Sequence, residues 1–182
     1  SRLNAGLNSL RGSRPIWLTF DCYGTLIQWD EGLLQAVQAI LARQGANELD
    51  PAALITIYDK HEHELEQQPE HRPFREVAGQ ALALAMTEMN LEYEQADIDL
   101  LTSGISAMRP FNEVPAALAE LKKMGYKLAI ISNTDDDIIA GNVAQLGGHI
   151  DRVITAEQAG AYKPSLPPLN LPIGHLAFLR KS

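Results

Sequence analysis

An α/β fold is predicted, with a doubly wound parallel-sheet core and a helical unit inserted after its first strand. Three observations lead there. Ile16-Trp17-Leu18-Thr19-Phe20 is a short, mostly apolar and β-prone run that ends in Asp21 and a turn containing Gly24. Such a run has the texture of a strand buried on both faces of a parallel sheet. Tyr126-Lys127-Leu128-Ala129-Ile130-Ile131 repeats that texture and ends in Ser132-Asn133-Thr134. After the first run come four consecutive helical segments and no strand before the chain returns to the core, which is more than a single crossover needs.

The elements follow in order. Residues 1–14 are polar and aperiodic and are expected to form a loose leader. After the first strand, Asp30 is expected to cap a helix over 31–44 that Gly45 closes. Asp50-Pro51 marks a second helix to about residue 67, with a capping carboxylate followed by proline at the first helical position. Pro69 and Pro73 punctuate the next connection, and further helices cover 74–89 and 93–107. Arg109-Pro110-Phe111 leads back to the core, and a helix over 114–124 ends at Gly125 ahead of the second strand. Asp135, Asp136 and Asp137 fall in the first turn of the next helix, where the helix dipole favours negative charge. Gly147-Gly148 ends that helix, and Arg152-Val153-Ile154-Thr155 forms a short third strand. Ala161-Tyr162-Lys163-Pro164 lies in the loop beyond it. Pro164, Pro167, Pro168 and Pro172 exclude a continuous helix, and the piece from His175 to Ser182 is too short for another strand–helix unit. The expected division is a leader over 1–14, a core over 15–29 and 110–165, an inserted helical cap over 30–109, and an atypical Pro-rich tail over 166–182.

Composition bounds the function. The 182 residues suit one domain or a core with a modest insertion, and a 46% apolar share suffices for a core. The net charge of −8 argues against a nucleic-acid surface. Its distribution is uneven, with 14 Asp/Glu against 5 Lys/Arg between residues 31 and 110. One cysteine, Cys22, cannot form an internal disulfide and suits a reducing compartment. No run approaches the roughly 20 apolar residues needed to cross a bilayer, and no secretory signal is visible. A soluble, cytoplasmic protein is expected.

The chemistry gathers at the ends of the strands. The first strand delivers Asp21 to the carboxyl edge of the sheet, where open α/β folds keep their ligand crevices. Backbone N–H groups of the following turn, permissive Gly24 and the Thr25 hydroxyl would satisfy the carboxylate. Asp21 then reads either as a nucleophile or as a cap for the turn. Ser132-Asn133-Thr134 reads as a ligand loop or as ordinary turn chemistry, and Lys163 as a site cation or a solvated lysine. His61-Glu62-His63 lacks the i, i+4 spacing that puts two imidazoles on one helix face for zinc.

Phe20-Asp21-Cys22-Tyr23-Gly24-Thr25-Leu26-Ile27, with Ser132 and Lys163 following in order, resembles the haloacid dehalogenase superfamily of hydrolases. It is most similar to the 2-haloacid dehalogenase branch, and the likeness covers about residues 16–165. The resemblance implies Asp21 as nucleophile, with Thr25, Ser132 and Lys163 as catalytic partners and Lys163 keeping Asp21 ionised. Cys22, Tyr23, Ser132 and Asn133 would line the pocket for a small anionic organic acid. Asp21 would displace halide from C2 of a 2-haloacid through an aspartyl ester, without metal or cofactor; a homodimer is compatible with this. Phosphatase relatives carry a second aspartate where this chain has Tyr23, and a phenol with a pKa of about 10 is a poor proton donor. A magnesium-dependent phosphatase is the alternative within the superfamily. Two departures stand out. The branch's halide-receiving arginine is matched by Tyr58-Asp59-Lys60, with Arg72 or Arg75 as substitutes. The family's later strands are expected to be missing, which would bare one edge of the Asp21 strand and makes a truncated, inactive chain the third reading.

Overall fold

A computed structural model describes residues 16–160 and the backbone of 177–179. The expected leader, most of the tail and the Lys163 loop lie outside the described residues.

Trp17–Phe20 forms β1, all four residues buried as an apolar run in a parallel sheet requires. Lys127–Ser132 forms β2 and Arg152–Thr155 forms β3, each parallel to its neighbour. Ala177–Leu179 forms β4 and pairs in parallel with β1, giving the order β3-β2-β1-β4. The expectation of a bare edge beside β1 is therefore corrected. Leu18, Thr19 and Phe20 are opposed by residues 177, 178 and 179. A ladder needs only a few extended residues, whereas the sequence reading required a whole strand–helix unit.

Four inserted helices follow β1 before the chain returns to the core. They are α1 (Trp29–Arg43), α2 (Pro51–Glu66), α3 (Phe74–Glu88) and α4 (Gln95–Ala107). All four were legible in the apolar periodicity, with boundaries off by one or two residues. Asp50 caps α2 as expected, its side chain accepting from the Ala52 amide at 3.0 Å. Asp30 does not cap α1. That helix begins two residues earlier, with Gln28 at its N-cap, and its first residue, Trp29, packs edge-on against Tyr23. The start of α4 is closed by a capping box between Glu94 and Asp97. Arg43 of α1 holds that box from outside, at 2.8 Å from Glu94 and 3.1 Å from the fully buried Asp97.

The return to the core pairs the two ends of the insertion. The Gln28 amide donates to the Arg109 carbonyl at 2.8 Å, and the Phe111 amide to the Leu26 carbonyl at 3.1 Å. Helix α5 (Val114–Lys123) then leads to β2 through Gly125, whose φ of +95° suits glycine. Helix α6 (Asp136–Val143) follows β2, and the short α7 (Ala156–Ala159) follows β3. One buried apolar cluster runs from Leu18 and Phe20 through Val37, Leu54, Leu82 and Leu101 to Ile130 and Ile139. Insertion and sheet thus share a single core.

Candidate active site

The parallel register sets the site. Phe20 is opposite Ile130 and Ser132 is opposite Thr155. Continuing the β1–β2 register by one pair puts Asp21 beside Ile131, with Ser132 the next residue along. Neighbouring strands lie about 5 Å apart, so both side chains emerge at the same carboxyl edge. Asp21 is half-buried, Ser132 is buried and Asn133 is half-buried.

The loop after Asp21 closes on itself. The Cys22 carbonyl accepts from the amides of Thr25 (3.3 Å), Leu26 (2.8 Å) and Ile27 (3.0 Å), while the Gly24 amide donates to the Ile27 carbonyl at 2.8 Å. Gly24 has φ +81°, and a Cβ there would meet nothing, so glycine is required for its backbone angle rather than for space. The amides of Gly24, Thr25, Leu26 and Ile27 are therefore used inside the loop. The Cys22 side chain is buried, and Thr25 is half-buried.

Tyr23 is fixed from two sides. Its hydroxyl donates to Asn142 Oδ1 at 2.7 Å, and its ring meets Trp29 edge-on with centroids 5.3 Å apart. Burial, foremost, pushes the phenol pKa far above its ordinary value; Cys22 and Asp135 add to this, and the Thr134 hydroxyl opposes it. Asn142 is wholly buried and donates from Nδ2 to the carbonyls of Ile105 (2.8 Å) and Met108 (3.2 Å) at the end of α4. One carboxamide thus joins the Asp21 loop to the inserted helices.

The places expected for a halide-receiving cation are otherwise occupied. Arg75 pairs with Asp135 at 3.3 Å and with Asp137. Arg72 donates to Gln80 at 2.6 Å and Gln68 at 2.9 Å. At Tyr58-Asp59-Lys60 the structure shows an acidic environment. Tyr58 is buried, with its hydroxyl short of any hydrogen bond of ordinary geometry. The Asp59 pKa is raised by burial and then by Asp30 of α1. One turn further along α2, burial pushes Glu62 up to about 7. Burial and the neighbouring Glu62 push Glu66 up to about 8. His61 pairs with Glu88 at 2.7 Å and His63 with Gln67 at 2.9 Å. Among the described residues no three His, Cys, Asp or Glu side chains converge as metal ligands.

Sequence reasoning missed Asn142 and misassigned Asp135. Asn142 sits in the last turn of α6, where nothing local marks its partners. Asp135 looked like a charge for its own helix, but its carboxylate reaches α3 instead.

A family model described as haloacid dehalogenase-like hydrolase matches residues 18–181. Haloacetate dehalogenase H-2 of Moraxella sp. (strain B) is 34% identical over 107 residues, covering 58% of this chain and 47% of that protein. Phosphoglycolate phosphatase of Aquifex aeolicus (strain VF5) is 24% identical over 159 residues, covering 84% and 66%. The L-2-haloacid dehalogenase structure from Xanthobacter autotrophicus superposes with a TM-score of 0.68 at 23% identity, over 84% of this chain and 61% of that one. The chain thus spans between about half and two thirds of the length of these relatives.

Proposed function

The chain belongs to the haloacid dehalogenase-like hydrolases, and from that premise we propose that it is a hydrolase of carbon–halide bonds with Asp21 as nucleophile. One Asp21 oxygen attacks C2 of a 2-haloacid. The C–X bonding pair leaves as halide, and an aspartyl ester forms. Water then adds at the ester carbonyl, releasing the 2-hydroxyacid and a proton and restoring the carboxylate. Ser132 and Asn133 bind the substrate carboxylate, Thr25 steadies the Asp21 loop, and Lys163 serves as the catalytic cation. Cys22 and Tyr23 line the pocket, and the inserted helices form a cap that limits water.

The observation that carries this reading is the state of Tyr23. An alkoxide leaving group needs a proton, and phosphatase relatives provide a carboxylic acid at this place. Here the position holds a half-buried phenol whose hydroxyl donates to Asn142 and whose pKa is raised. A departing halide needs no proton. The magnesium-dependent phosphatase is the second reading. Support for that alternative comes from the phosphatase relative.

Halide release from 2-chloropropionate, set against phosphate release from p-nitrophenyl phosphate with magnesium, tests the proposal. Halide release alone is expected. Magnesium-dependent phosphate release without halide would replace this reading with the phosphatase.

A further inference from the structure

Asp135 immediately follows the Ser132-Asn133-Thr134 loop, and its carboxylate is almost wholly buried. It occupies the N-cap of α6, yet its side chain makes no capping bond there. Oδ1 accepts from the Phe74 amide at 2.6 Å, and Oδ2 from the Arg75 amide at 2.9 Å and from Arg75 Nε at 3.3 Å. Phe74 and Arg75 open α3, whose own N-cap, Pro73, has no side-chain acceptor to offer. A core carboxylate therefore serves as the cap of an inserted helix 61 residues away in sequence. The amides at a helix start are otherwise unsatisfied and carry the positive end of the dipole, so a buried carboxylate is well matched to them. The Arg75 guanidinium also holds Asp137, in the first turn of α6. Both ends of the contact are thus anchored.

We propose that Asp135 is a positioning residue that locks the Ser132–Thr134 loop to the start of α3, so that the core wall and the inserted wall of the site keep one spacing. This rests on the reading that Ser132 and Asn133 bind substrate. A carboxylate that merely stabilised α3 would leave the loop unaffected when altered. A carboxylate that couples the two would loosen both together.

Amide hydrogen exchange by NMR on the full chain separates these outcomes without requiring turnover. In Asp135→Asn, exchange at Phe74 and Arg75 is expected to accelerate about tenfold or more. The Thr134 amide, held by the Ser132 carbonyl at 3.0 Å, should accelerate to a similar degree, while Leu101 and Ile105 of α4 stay unchanged. Arg75→Met keeps both backbone bonds and should still accelerate Thr134 measurably, by about twofold to threefold. It also decides the matter should Asp135→Asn fail to fold: a Thr134 rate identical to that of the unaltered chain would overturn the coupling. Acceleration at Phe74 and Arg75 without Thr134 reduces Asp135 to a helix cap and overturns the proposal, as does no change at either place. In halide release, Asp135→Asn should raise the KM for 2-chloropropionate about tenfold with a smaller fall in kcat, and an unchanged KM would count against positioning. Absence of halide release from the unaltered chain would bear on the dehalogenase reading alone, since the exchange result stands without it.

Discussion

The Tyr23 hydroxyl and the Asn142 carboxamide share a 2.7 Å hydrogen bond across 119 residues of sequence. The same carboxamide holds the last carbonyls of α4. Asn142→Ala would take the acceptor from the part-buried Tyr23 hydroxyl and the side-chain donor from the buried Ile105 carbonyl, while the Met108 carbonyl keeps Gln145 at 2.9 Å; each lost bond costs about 1–3 kcal/mol before relaxation. A loss of about 3 kcal/mol is expected in urea denaturation. Tyr23→Phe removes only one partner and should cost about 1 kcal/mol. Similar losses for the two variants would show that the bond to α4 contributes little.

Asp21→Asn is expected to abolish turnover while leaving the melting temperature close to that of the unaltered protein. The amide keeps the shape of the carboxylate and loses its nucleophilicity. A single turnover in 18O-labelled water should place the label in the Asp21 carboxylate of the unaltered enzyme, detectable by peptide mass. Label found only in the 2-hydroxyacid would exclude the ester.

Stability should fall as pH rises through neutrality. Glu62 and Glu66 have folded pKa values near 7 and 8, above their ordinary 4.5. The folded state therefore holds protons that the unfolded state has released. This contribution is complete below about pH 4.5 and is lost as pH climbs past 7 to 8. The other resolved shifts among described carboxylates act elsewhere: the weaker raised Asp59 adds in the same sense, while the lowered Asp137 and Asp151 act below their ordinary 3.8. Thermal melts should show a midpoint lower by about 5 °C at pH 8.5 than at pH 6. Glu62→Gln should flatten the profile, and an equally steep profile in that variant would remove Glu62 as the cause.

Gly141→Ala tests the contact between α4 and α6. A Cβ at Gly141 would lie 2.6 Å from the Ser106 carbonyl oxygen and also against its hydroxyl. Backbone cannot swing aside as a side chain can, so the two helices must separate. A loss of about 2–3 kcal/mol is expected in denaturant unfolding. Gly45→Ala, at an open position with φ +67°, should cost only about 1 kcal/mol of backbone strain.

Much of this architecture was legible one element at a time. Apolar periodicity found α1 to α4, Asp50-Pro51 marked the start of α2, and Gly45 and Gly125 marked helix ends that the structure shows with positive φ. The two apolar runs became β1 and β2, and their parallel register brought Asp21 and Ser132 to one edge. These features are local: they depend on period, chirality and backbone freedom within a few residues. The errors were also of one kind. Asp30 was expected to cap α1, and the edge of β1 was expected to be bare, because both judgements used only the adjacent chain.

The sequence by itself determined the four inserted helices and the strands β1 to β3 to within a residue or two, though not β4, because backbone sterics and apolar spacing act at short range. Only the tertiary structure decided which group each polar side chain satisfies. Asp135 serves α3 rather than α6, Asn142 accepts from the Tyr23 hydroxyl, and Arg75 is held by Asp135 and Asp137. A buried donor or acceptor binds whatever packing brings within about 3 Å. That neighbour is chosen by the shared core, across sixty or more residues, and no spacing along the chain records it.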